Sequence, residues 1–210
     1  MPHRDRLRWA GVAVLAAAAF ALTALVSTRT AVGVTVDDAV RNWVLNVLPG
    51  PLRQGLDRLA RPFVIVVLAP AVLVLSLLAL VRRSWQRALA GLVIPVVATF
   101  LALEVRVRDP FGTGADAFPS NHAAAGLALL VGVAVVWPRP VSRRGLVAVA
   151  VAGFCIGLGN VSWYAHQPRD VLGSFFLVAL VAAASFAVLG GDSPNLASEP
   201  RHRAGRRETG

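Results

Sequence analysis

The sequence predicts an all-α, polytopic membrane protein: a six-transmembrane-helix bundle with an outer interfacial segment. Three observations carry the prediction. Apolar residues make up 56% of the 210 and mean hydropathy is +0.65, more apolar than a soluble domain of this length. Six apolar runs meet or approach the ~20 residues that cross a bilayer as a helix. All 21 basic residues are Arg, and they flank those runs instead of forming one face. That placement argues against nucleic acid as a partner despite a net charge of +10, because such binding needs a continuous basic patch or stripe.

The runs are 9–26, 63–81, 88–103, 123–137, 145–161 and 171–189. The first follows Arg4, Arg6 and Arg8, a charge pattern shared with signal peptides. It is long for the apolar part of one and lacks a clear small-residue cleavage site, so a retained helix is the favoured reading. Between the first two runs, residues 27–62 form a long polar-rich stretch. Within it, 36–48 mixes apolar residues with Asp37, Asp38, Arg41 and Asn46, with Trp43 suited to an interface. An amphipathic helix on the outer surface fits, as does a plain structured loop. Pro95 and several Gly interrupt the third and fifth runs, which a bundle tolerates because neighbours satisfy the backbone. The fourth run is short unless its helix starts near Ser120. The single Cys155 lies in an apolar run, so no internal disulfide forms. Residues 1–190 read as one membrane domain and 191–210 as a disordered Arg-rich tail that meets anionic headgroups.

Orientation follows from Arg counting. With the N-terminus inside, thirteen of the 21 arginines fall on the cytoplasmic side, in the N-terminal segment, the 82–87 and 139–144 loops and the tail. The other eight share the opposite side with most of the acidic residues, including Asp37, Asp38, Asp57, Glu104, Asp109, Asp116 and Asp170. The expectation is a multi-pass protein of the plasma (inner) membrane with both termini cytoplasmic.

Two polar clusters then share the outer face. In Phe118-Pro119-Ser120-Asn121-His122, Ser120 is a natural N-cap, and His122 falls in the first helical turn. Helix N-termini offer free N–H groups and a positive dipole end, which suit phosphate, and an imidazole there can protonate a leaving oxygen. In His166-Gln167-Pro168-Arg169-Asp170, Pro168 fits the first helical position and Asp170 lies four residues after His166. A carboxylate on one ring nitrogen fixes the tautomer and frees the other nitrogen as a nucleophile. Each cluster alone also reads as an ordinary cap beside a surface histidine. Zinc would suit two His and an Asp, but structural zinc prefers closer spacing and thiolates.

Together the motifs resemble the type-2 phosphatidic acid phosphatase family. Residues 118–122 resemble its Pro-Ser-Gly-His motif. Residues 160–170 resemble its third motif, Ser-Arg-(five residues)-His-(three residues)-Asp, with matching spacing from Asn160 to His166 to Asp170. Asp109-Pro110-Phe111 falls where members resembling bacterial undecaprenyl-diphosphatases carry Arg-Pro-Phe. The sequence departs from the pattern at its cations. Ala102 holds the first-motif Lys place, Asp109 the Arg place, Asn160 the third-motif Arg place, and Asn121 the motif Gly.

The resemblance implies a metal-independent lipid phosphatase or diphosphatase without a cofactor. His166 would be the nucleophile that becomes phosphohistidine, Asp170 would orient it, and His122 would be acid and then base. Ser120, Asn121 and Asn160 would bind phosphate oxygens, with Arg108, Arg106 or Arg169 replacing the missing cations. The substrate would be a polyprenyl diphosphate or related lipid phosphate drawn from the bilayer, with its headgroup outside. The altered cations support an alternative: an impaired relative that binds a lipid or a partner protein.

Overall fold

The computed structural model describes residues 3–113, 118–163 and 166–189. Their regular structure is entirely helical, in eight helices: α1 (His3–Arg29), α2 (Ala31–Val47), α3 (Gly50–Ala60), α4 (Ala69–Val81), α5 (Trp85–Arg108), α6 (Asn121–Val136), α7 (Arg143–Trp163) and α8 (Pro168–Leu189). Asp116 and the 191–210 tail, assigned above to the outer mouth and to a disordered segment, lie outside the described residues.

All six apolar runs are helical. Five stretches are long and apolar enough to cross a membrane: His3–Arg29, Gly50–Val81, Trp85–Arg108, Arg143–Trp163 and Pro168–Leu189. The sixth, α6, is apolar but has only 16 residues. At 1.5 Å per residue it rises ~24 Å, short of the ~30 Å hydrocarbon core. Its start is fixed by Ser120, which caps it, and its end by Trp137-Pro138.

The 27–62 stretch departs from the expected single helix at 36–48. It folds as two helices, α2 and α3. Thr30 caps α2, its hydroxyl accepting the Gly33 N–H at 3.0 Å, and Pro51 stands in the first turn of α3, where its missing N–H does no harm. Arg61 ends α3 at φ −128°, ψ −67°, because the residue before a proline, here Pro62, is pushed out of the helical region. A π-helical turn, Val64–Leu68, then leads into α4. Pro70 lies just beyond it and cannot donate an N–H, and the wider turn accommodates that gap.

The main core joins α1, α5, α6 and α8 through Phe20, Ile94, Ala98, Leu127, Leu177 and Val181. Trp9 stacks obliquely on Phe186, ring centroids 4.9 Å apart, so α1 packs along α8 as part of the bundle. A smaller cluster seats α2 over the ends of three helices, where Val44 meets Ala123, Val161 and Val171. On its other flank α3 lies against α7. A Cβ on Gly159 would collide with the Leu56 carbonyl oxygen and stand 2.7 Å from the Ala60 methyl. Only glycine admits that approach, and it fixes the end of α3 beside Asn160.

Candidate functional site

The site is built where α6 and α8 begin. Ser120 is fully buried and its Oγ accepts the Ala123 N–H at 3.3 Å, the N-cap geometry its sequence position predicts. The Ser120 N–H donates to the Asp170 carbonyl at 3.0 Å. The Ser174 hydroxyl lies 2.8 Å from both the Ser120 and the Asp170 carbonyl oxygens. These contacts lock the two helix starts in register. Phe118 wedges the entry from below. It is buried between Phe20 and Phe111, and its ring lies so close to Gly173 that any Cβ there would strike it.

At the start of α8, the Asp170 Oδ2 accepts the Gln167 N–H at 2.9 Å. The third residue of the helix thus reaches back to its cap, as in a capping box. The same oxygen lies 3.6 Å from the His166 Nδ1, with Asp170 1% exposed and His166 11%. That distance is an electrostatic contact, longer than a hydrogen bond. It directs Nδ1 toward the carboxylate and leaves Nε2 as the outward nitrogen. His122, by contrast, is exposed at the mouth. It lies within electrostatic reach of Arg61, His166 and Arg106.

The other sequence-predicted residues are distributed unevenly around this centre. Arg106 is half-buried and acts on His122. Arg108 turns outward, with a side chain 78% exposed and its Nε 2.8 Å from Glu104. Arg169 is half-buried and engaged: its backbone N–H donates to the Asp37 Oδ1 at 2.8 Å. Its guanidinium lies 3.4 Å from the Asp37 Oδ2 and 3.6 Å from the Asp170 Oδ1. Burial pushes the Asp37 carboxyl above the usual 3.8, outweighing the lowering pull of the Arg169 N–H and charge. Asn160 is fully buried, and its Nδ2 donates to the Ile156 carbonyl at 2.9 Å within its own helix. Asn121 is half-buried beside the cap.

The places where the motif cations are absent have their own structural roles. Ala102 is fully buried in the main core. Asp109 ends α5 in the left-handed conformation, at φ 40°. Its Oδ1 accepts from the Thr113 N–H at 2.7 Å and the Thr113 hydroxyl at 2.9 Å. Arg29 closes the same turn from α1 by donating to the Phe111 carbonyl at 3.0 Å.

A polar site inside an apolar bundle leaves a signature in its unsatisfied atoms. Among the described residues, the buried side-chain atoms without a hydrogen bond include Oδ1 of Asn121, Asn160 and Asp170, Ser162 Oγ, and Nε of Arg41, Arg53 and Arg169. Apart from Ser76, whose buried Oγ in α4 also lacks a hydrogen bond, they belong to the end of the bundle where α6 and α8 start, or to α2 and α3. The Arg169 Nε and Asp170 Oδ1 face each other at 3.6 Å; the guanidinium nitrogens of Arg41 and Arg53 suit an anion, and the amide and hydroxyl oxygens suit the water around it. Sequence reasoning did not single out Arg61 here. Its available signal was the Arg53-Asp57-Arg61 spacing directly before Pro62.

No curated protein and no solved structure matches the chain. Residues 104–192, which run from the C-terminal end of α5 through α8 and contain Ser120, His122, Asn160, His166 and Asp170, match the family model of the PAP2 superfamily.

Proposed function

We propose that the protein is an integral membrane lipid phosphatase that hydrolyses a polyprenyl diphosphate or related lipid phosphate on the extracytoplasmic face. The observation that carries this reading is the Asp170 carboxylate set 3.6 Å behind the His166 Nδ1, with His122 in electrostatic reach at the N-terminus of α6. In the first step the His166 Nε2 attacks phosphorus and the bond to the leaving oxygen breaks. His122 gives that oxygen a proton. In the second step water, relieved of a proton by His122, attacks the phosphohistidine. The P–N bond breaks and inorganic phosphate leaves. The N–H groups of the first α6 turn would hold phosphate oxygens.

An apolar cleft of about 600 Å³ supports lateral entry of the lipid. Leu22, Val26, Val36, Val40 and Leu172 line it, and it runs between α1, α2 and α8 up to Asp37 and Arg169. The test is phosphate release by detergent-purified protein from a panel of lipid phosphates, with His166→Ala alongside. The expected result is release by the wild type alone, with an acid-labile phosphoprotein trapped on rapid quenching. Equal release by both proteins would sink the mechanism. The exposed, Glu104-paired state of Arg108 and the engagement of Arg169 favour a second reading, a lipid-binding relative without turnover. It predicts that the wild type binds the lipid phosphates and releases nothing.

A further inference from the structure

Phosphoryl transfer depends on fixed positive charge around the transferring group. The motif-derived candidates fill that need poorly. Arg108 is exposed and held by Glu104, Arg169 faces Asp37 and Asp170, and the third-motif cation place is Asn160, whose amide donates to its own helix. We propose that the outer helix α3 supplies the phosphate-binding cation from outside the motifs, through Arg61. This rests on the phosphatase reading and names a residue that reading lacks.

The geometry begins at Gly159. Because that residue has no Cβ, α3 presses its Leu56 and Ala60 directly onto α7. Arg61 follows Ala60, and Asn160 follows Gly159. The chain thus brings Arg61 on a neighbouring helix beside the position where the motif's own cation is absent. Arg61 is half-buried there, and it is the first of the charges that act on His122. Asn160, smaller than an arginine, keeps its Oδ1 buried without a hydrogen bond. Arg53 extends the row: residues 53, 57 and 61 fall at i, i+4 and i+8 on one face of α3. The Arg53 Nε is also buried without a hydrogen bond. Asp57 stands between the two arginines, at the spacing from which a carboxylate steadies both. Arg106, on the end of α5, also acts on His122, so the headgroup would be gripped from two helices.

The experiment compares wild type, Arg61→Ala, Arg61→Lys and, as control, Arg58→Ala, an exposed neighbour on α3. Turnover is measured on the lipid phosphate the wild type hydrolyses, and thermal stabilisation by orthovanadate is measured in the same detergent. For Arg61→Ala we expect kcat to fall about 10²- to 10³-fold, as for loss of one transition-state donor, and the vanadate shift to vanish. Arg61→Lys should recover part of both, and Arg58→Ala should keep both. Should Arg61→Ala fail to fold, Arg61→Gln, which keeps the side chain's bulk, carries the same expectation. Wild-type turnover and an unchanged vanadate shift in these variants would overturn the assignment and leave the phosphatase reading intact. A wild type that releases no phosphate overturns that reading instead. The clamp then stands if vanadate stabilises the wild type but not Arg61→Ala, and falls if the two behave alike.

Discussion

Ser174 lies one turn into α8, where its hydroxyl reaches the backbone carbonyls of both Ser120 and Asp170. It is fully buried, so nothing replaces it when it is removed. Ser174→Ala should cost about 1 kcal/mol in stability. Because it loosens the register between α6 and α8, on the proposed mechanism it should also lower turnover more than lipid binding. Thermal unfolding together with a kcat and KM comparison checks this; unchanged kcat would mean that the other backbone contact is enough. Asp37 gives a pH prediction. Its pKa is raised in the folded protein, so folding favours the protonated form. Its contribution to stability is therefore greatest below pH 3.8 and declines as pH rises through the raised value. Asp37→Asn cannot titrate. The stability difference between wild type and Asp37→Asn should accordingly shift against the wild type across that interval, as melting temperatures from pH 3 to 7 would reveal.

At the scale of elements, the decisive contact is the α3–α7 crossing at Gly159. Gly159→Ala puts a methyl against the Leu56 carbonyl, and overpacking of that kind costs about 1–3 kcal/mol. The more specific expectation is functional. Pushing α3 outward moves Arg61 while leaving His122, His166 and Asp170 in place, so turnover should fall with the fold intact. Circular dichroism and phosphate release on the same preparation check the pair, and a variant as active as the wild type would separate α3 from the site. That crossing also marks the limit of what the sequence discloses. The helices themselves were legible because a lipid-spanning run announces itself by composition, and Ser120 and Pro168 announced two of the starts by cap chemistry. The pairing of His166 with Asp170 was legible because four residues bring side chains together at a helix entrance. The approach of Arg61 to α7 was not, because α3 reaches α7 only when 27–62 folds back over the bundle, and the permission for that lies in a missing side chain nearly a hundred residues away. The orientation of Arg108 was not legible either. The residue is adjacent to the motif in sequence, but its rotation about α5 turns it toward Glu104.

At the scale of the whole molecule, the short α6 sets the depth of the site. A helix of ~24 Å beginning at the cap leaves several ångströms of an average ~30 Å bilayer unspanned. With its other end at the exposed Trp137, a residue type that prefers the interface, that deficit would fall, in the orientation proposed here, on the outer side. His122 and His166 would then sit below the level of the lipid headgroups, roofed by α2 and α3, and a lipid phosphate would enter sideways along the α1–α8 cleft. The scheme requires α2 and α3 outside and the 82–87 and 139–144 loops inside, as the arginine distribution predicts. Single cysteines in a Cys155→Ala background test it. Arg58→Cys on α3 and Arg139→Cys in the α6–α7 loop both replace exposed residues. In intact cells a membrane-impermeant maleimide should label the first and reach the second only after permeabilisation. The reverse pattern would place the histidines on the cytoplasmic side, and the substrate would then have to present its phosphate from the inner leaflet.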